Sequence, residues 1–299
     1  MYHYVRLINK KLPYFNFLHI NNFLKQLSYF EKKFGIITQN EFNNFFYLKK
    51  RIKNKILLTF DDGLYDHYKI YKILKKNKFF GIFFIPTYHL VKPDILPVHK
   101  IHLLIGKFKA DEILLMIKKL KLSINEDLKK KFSNKYLKQK DERKIKLIKK
   151  ILNFYSKDNK KNINLLFKSF FKKEAKSYTK NFYLNKKQLK EMSENGMKIG
   201  AHSHTHPVLS NLNYKSQNDE ISKSINILKK ICGLNIDTFC YPYGGFESFN
   251  DNVQKILKKN KINFAFNVQN KDITNKSIQL ALPRYDCNVF KYGKILKKN

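Results

Sequence analysis

The chain has little cysteine and little arginine, and it has no long apolar run. Its three cysteines, Cys232, Cys240 and Cys287, are few, odd in number and far apart. Such spacing argues against a disulfide framework or a zinc knuckle and reads as reduced, mostly buried thiols. No stretch approaches the roughly 20 apolar residues that a membrane-spanning helix needs. The opening Met1-Tyr2-His3-Tyr4-Val5-Arg6 lacks the basic segment and apolar stretch of a secretory leader. Together these absences predict a soluble, cytoplasmic protein.

Arginine occurs only at positions 6, 51, 143 and 284, although the formal net charge is +38. The excess is therefore lysine, and it comes with abundant Asn, Ile and Phe. A phosphate-reading surface draws on Arg, which forks onto phosphate where Lys acts as a point charge. The charge is read as compositional bias spread over the whole surface. No specific nucleic-acid partner is expected, only weak attraction to anionic glycan or membrane headgroups. With 299 residues, 43% apolar and 15% aromatic, the chain can bury a real core as one large α/β domain or two modest ones.

What is present is an alternation of strands and helices. Residues 1–8 form an apolar, aromatic run read as a first strand ending near His3. Apolar residues recur at helical spacing from Asn21 to Phe34, and Thr38-x-x-Glu41 is a capping-box signature. Lys55–Phe60 reads as a strand, Asp66–Lys78 as a helix and Phe80–Ile85 as a buried strand. Regularity lapses between about 88 and 185, where the chain is Lys-rich, helical in period and without a clear strand. This stretch is read as a helical insertion over the scaffold, with a separate subdomain as the alternative. Alternation resumes with a helix at Lys187–Glu194, a strand at Met197–Ala201, a helix ending at Cys232 and a strand at Ile236–Tyr241. A helix to Asn260 and strands at Ile262–Phe266 and Ser277–Leu282 complete the pattern. Such alternation predicts a parallel sheet, open or closed into a barrel.

Each unusual cluster falls just after a predicted strand. Asp61-Asp62-Gly63, His202-Ser203-His204-Thr205-His206-Pro207, Tyr241-Pro242-Tyr243-Gly244-Gly245 and Pro283-Arg284 all stand there. In parallel α/β folds those strand ends share one face, where active sites sit. Two adjacent carboxylates repel unless one is protonated or a cation divides the charge between them. His202, His206 and one carboxylate of the Asp pair would make a three-ligand metal site with a position left for water. Such a metal lowers the pKa of bound water and polarises a carbonyl, and the second carboxylate is free to act as general base.

These residues resemble the polysaccharide deacetylases, the NodB-homology carbohydrate esterases. Thr59-Phe60-Asp61-Asp62-Gly63 is similar to their first motif, Ala201-His202-Ser203-x-x-His206-Pro207 to their second, and Phe239-x-Tyr241-Pro242-Tyr243-Gly244 to their third. Met1-Tyr2-His3 and Leu282-Pro283-Arg284 are also similar to segments of that family. The resemblance spans most of one domain covering residues 1–299, apart from the 88–185 insertion. It implies a distorted (β/α) barrel, a Zn²⁺ or similar divalent ion such as Co²⁺ or Ni²⁺, and hydrolysis of an N-acetyl or related acyl group from an amino sugar. Carried over by position, Asp61 is the general base, Asp62, His202 and His206 are the metal ligands, and the Tyr243 N–H is an oxyanion donor.

Two departures matter. Cys240 stands where family members often carry an arginine that orients the catalytic Asp, and Arg284 is expected to substitute for it. No histidine follows His206, although many members use a late histidine as general acid. His3, His204, His99, His102 and Asp286 are the candidates for that role. The expected function is a metal-dependent deacetylase acting on a cytoplasmic sugar precursor. The alternative is a catalytically impaired, glycan-binding protein of the same fold.

Overall fold

A computed structural model describes residues 1–52, 54–122, 143–157, 160–172 and 174–294 of the chain. Residues 123–142 of the expected insertion lie outside the described residues. The chain divides into two compact units. The first comprises Met1–Leu7, Phe17–Pro93 and the chain from Asn181 onward, and the second comprises Ile8–Asn16 and Asp94–Lys180.

The first unit is built on parallel strands. β1 (Val5–Arg6) pairs with β2 (Leu18–His19). The main sheet runs in chain order through β3 (Leu58–Phe60), β4 (Gly81–Ile85), β5 (Lys198–Ala201), β6 (Thr238–Cys240) and β7 (Phe264–Phe266). It curls into a half-barrel of the distorted (β/α) type that the motifs imply. Tyr2 bridges Phe60 at one edge and Leu282 bridges Phe266 at the other, both in parallel sense.

The strands are buried on both faces, as parallel sheets covered by helices must be. Along β4, Phe83 and Ile85 join the core beneath the helices, whose buried residues include Ile70, Leu189, Ile221 and Val253. Ile82 and Phe84 alternate to the opposite, inner face, where Phe42 and Phe46 of the helix Gln39–Phe46 pack with Phe264 and Phe266. Gly200 in β5 is where two layers meet closely. A Cβ there would sit 2.5 Å from the Phe84 ring and 2.8 Å from Thr238 Oγ1.

The Thr38–Glu41 capping box forms as its spacing predicts. The helices Tyr214–Cys232 and Asp251–Lys259 are capped by Asn213 and Asn250, which accept from the third backbone N–H beyond them. Two expected strands are corrected. Residues 277–282 contain a short 3-10 turn, Gln279–Ala281, and contribute only the single Leu282 bridge. The first strand, expected to end near His3, lies at Val5–Arg6 instead, because Met1 and Tyr2 are tied elsewhere: Met1 N to Tyr285 O and Tyr2 N to Thr59 O.

Among its described residues the second unit is helical. Its helices are Pro97–Lys107, Ala110–Lys119, Arg143–Lys157, Lys160–Phe171 and Glu174–Lys180. Leu103, Leu104, Ile148, Leu152, Ile163 and Leu166 form its fully buried interior. That interior supplies the helical period seen in the sequence.

Candidate metal and catalytic site

The site begins where β3 stops. Tyr2 runs alongside, giving its N–H to Thr59 O and accepting from Asp61 N at 2.8 and 2.9 Å. That pairing carries Asp61 to the strand tip, where it is 2% exposed. Asp62 then turns in the left-handed region at φ 78°, which few non-glycine residues adopt. The two neighbouring carboxylates leave the backbone in different directions and acquire different partners.

Asp61 meets Arg284. Arg284 Nη1 donates to Oδ1 and Nη2 to Oδ2, both at 2.8 Å. The guanidinium also donates to Thr59 Oγ1 at 3.1 Å, Asn267 O at 3.1 Å and Cys240 Sγ at 3.0 Å. Burial opposes charge on Asp61, but this two-pronged contact outweighs it, with His3 and His202 adding to it. The carboxyl is held well below the ordinary carboxylate range. Cys240 Sγ thus packs against the guanidinium that holds Asp61.

Asp62 meets the histidines. Asp62 Oδ1 lies 3.5 Å from His202 Nε2 and 3.3 Å from His206 Nε2, and the two nitrogens are 3.2 Å apart. All three side chains are buried. Ligand atoms about 2.0–2.1 Å from a tetrahedral ion lie about 3.3 Å from one another, so this triangle has the dimensions of a three-ligand Zn²⁺ site. The histidine tautomer agrees. His202 Nδ1 donates to Cys240 O at 2.7 Å, which leaves Nε2 as a lone-pair donor facing the cluster. The donor set fits a divalent cation.

The loop holding the histidines is fixed from outside the motif. Glu220, on the helix Tyr214–Cys232, accepts from His204 N at 2.9 Å and from Thr205 N and Oγ1 at 2.7 and 2.6 Å. Ser203 Oγ accepts from His206 N at 3.0 Å. Ser203, His206 and Tyr243 all have positive φ, between 60° and 66°. Left-handed non-glycine residues cost energy and persist where surroundings over-determine them. Tyr243 sits at the rim, its ring 5.1 Å from that of His206.

The candidate acids separate. His3 Nε2 is 4.0 Å from Asp61 Oδ2, with 42% of its side chain exposed. The backbone carbonyl of His3 is held at 2.9 Å by Nε2 of His67, a buried residue. Burial, only partly offset by that hydrogen bond, lowers the pKa of His67 to about 4. His204 is engaged by Thr87 Oγ1 at 2.8 Å and by the Tyr88 ring. Asp286 caps a short turn by accepting from Asn288 N. His99 and His102 belong to the second unit, on the helix Pro97–Lys107, with His99 fully buried instead of on a helix surface.

Sequence reasoning missed Glu220, His67 and Asn267. Each acts through tertiary contact, and none stands in a motif. His67 and Asn267 are buried and Glu220 is half-buried, and no local pattern in the sequence marks any of them.

Residues 147–275 match the family model for polysaccharide deacetylase, a span that includes His202, His206, Cys240 and Tyr243. The chain is polysaccharide-deacetylase-like. A search of curated protein sequences finds no match. Among solved structures this deacetylase-like chain is similar in fold to the Streptococcus pyogenes deacetylase PplD in complex with acetate. The TM-score is 0.57 at 16% identity, covering 95% of this chain and 88% of that one. It is also similar to a de-N-acetylase from Aggregatibacter actinomycetemcomitans, with TM-score 0.55, 14% identity and 95% and 92% coverage. IcaB from Ammonifex degensii gives TM-score 0.51, 16% identity and 89% and 81% coverage. At these identities the likeness concerns the fold. No helix among the described residues is long and apolar enough to cross a membrane.

Proposed function

We propose that the protein is a metal-dependent hydrolase that removes an N-acetyl or related acyl group from an amino sugar of a glycan or glycan precursor. The observation that carries the proposal is the triangle of Asp62 Oδ1, His202 Nε2 and His206 Nε2, with sides of 3.2–3.5 Å. Zn²⁺, or another divalent ion such as Co²⁺ or Ni²⁺, held there supplies a Lewis acid for an amide carbonyl and an acidified water. Asp61, kept anionic by Arg284, accepts a proton at neutral pH. The Tyr243 N–H is assigned to the oxyanion that develops on the carbonyl oxygen, the kind of preorganised donor worth several kcal/mol of barrier.

The leaving amine needs a proton, and His3 is assigned to deliver it. Its imidazole sits 4.0 Å from Asp61 and is open to solvent on the other side, so it can be reloaded. His204 and Asp286 are committed to other partners. The three cysteines are unpaired and buried, which supports a reducing compartment and, with it, a cytoplasmic sugar precursor as substrate.

The test is acetate release from N-acetylated amino sugars, free, nucleotide-linked and lipid-linked, with Zn²⁺ or Co²⁺ present. Release by wild type that Asp61→Asn abolishes and that His3→Gln reduces is the expected result. No release by wild type, or undiminished release by Asp61→Asn, overturns it. The second reading, a glycan-binding protein without turnover, is favoured by one observation: no histidine follows His206. It predicts saturable oligosaccharide binding with no acetate after prolonged incubation.

A further inference from the structure

Within the first unit, a cavity of about 450 Å³ lies between the two edges of the curled sheet. Tyr2, Leu58 and Thr59 wall it on the β3 side, and Phe266, Arg284 and Tyr285 on the other. Protein interiors ordinarily keep few voids larger than a water molecule. At roughly 30 Å³ per group this one has room for about fifteen water-sized or methylene-sized groups.

Its wall is mostly hydrocarbon. Phe30, Phe34, Phe46, Ile37, Ile52 and Ile273 contribute to it. Cavities so lined stay dry and take apolar guests. The inner polar groups are already satisfied, since Arg284 gives its N–H groups to Asp61, Thr59, Asn267 and Cys240. The innermost residues, such as Leu58 and Phe266, are 1% exposed or less. Asn54, Lys271 and Thr274 are exposed and mark the mouth. There Lys55 is paired with Glu41 at 2.5 Å, whereas Lys271 has no ion-pair partner among the described residues. Asp272 is the one acid in the wall and is exposed.

We propose that this cavity binds one long alkyl chain with an anionic head, of the fatty-carboxylate class. The chain lies among the aromatic rings and the head meets Lys271 at the mouth. The site is separate from the Asp62–His202–His206 cluster, and the proposal holds whether or not the protein proves to be a deacetylase.

The experiment is calorimetric titration of the full chain with dodecanoate, with dodecanol and acetate in parallel. The expected result is saturable 1:1 binding of dodecanoate, weaker binding of dodecanol by roughly tenfold or more for loss of the charge contact, and no displacement by acetate. Ile273→Trp and Ile52→Trp, two partly buried wall positions, fill the space and should each abolish binding with an unchanged circular-dichroism spectrum. Lys271→Glu should weaken dodecanoate and leave dodecanol unaffected. No saturable binding overturns the proposal, as does binding that both Trp variants retain. Displacement by acetate would place the ligand at the metal cluster and also overturn it. Equal affinity for dodecanol and dodecanoate overturns the assignment of the head group.

Discussion

Arg284 holds Asp61 across the open edges of the sheet, with both carboxylate oxygens 2.8 Å from guanidinium nitrogens and 223 residues of chain between the two. Both side chains are only 4% exposed, so neither charge can fall back on water. Removing one member of such a pair strands the other, at a cost of about 3–5 kcal/mol. Arg284→Leu should therefore lower the melting temperature by roughly 10 °C, and the double variant with Asp61→Leu should recover much of the loss. A melting curve unmoved by Arg284→Leu would contradict this account.

Stability should fall on mild acidification. His67 is buried with its pKa lowered from the ordinary 6.5 to about 4, so the folded state keeps it neutral while the unfolded chain protonates it near 6.5. Its contribution is complete above pH 6.5 and is lost as the pH falls toward 4, amounting to about 3 kcal/mol. Asp61, depressed in the fold by Arg284, adds a second loss below about pH 4. Denaturant midpoints measured at pH 7 and pH 4.5 would reveal the first loss, and His67→Phe should flatten it.

Metal binding should be readable without turnover. Zn²⁺ at about 100 times its Kd stabilises the protein it binds by about 2.7 kcal/mol, which corresponds to several degrees in a thermal melt. Wild type should show that rise and lose it with a chelator. Asp62→Asn and His206→Ala should show little of it. An equal rise in all three proteins would place the metal elsewhere.

Glu220 gives a further test because it touches no proposed ligand atom. Its carboxylate accepts three hydrogen bonds that hold the loop between His202 and His206, and bonds to a charged acceptor are worth about 1.5–3 kcal/mol. Glu220→Gln should cost about 2 kcal/mol of stability and weaken Zn²⁺ by roughly tenfold, as changes behind metal ligands do. Zinc titration with a competing chromophoric chelator measures the second effect.

The scaffold was legible in the sequence because its signals are local. Strands such as Gly81–Ile85 are buried on both faces and read as continuous apolar runs, and caps such as Thr38 with Glu41 declare helix starts. The grouping of Asp62, His202 and His206 was legible because their residue types are rare and their spacing tight. The final expected strand failed because residues 277–282 have a strand-like apolar pattern but pair with Phe266 at Leu282 alone. The contacts behind the site were not legible for a different reason. Glu220 reaches back 15 residues to Thr205, and His67 reaches back 64 residues to the His3 carbonyl. Only the folded chain brings such pairs together.

Four side chains around the cluster, Asp62, Ser203, His206 and Tyr243, stand on left-handed backbone, with φ between 60° and 78°. Each holds a conformation that glycine would adopt with about 1–2 kcal/mol less strain. Random mutagenesis screened for heat resistance alone should therefore enrich glycine at these positions, Tyr243 first because its ring is exposed, whereas glycine at Ser203 would lose the bond from His206 N. Gains at Ser203 and His206 would loosen the loop that aligns the imidazoles. Robustness and function pull in opposite directions at these four residues, and a thermostable variant would have to find its stability elsewhere in the chain.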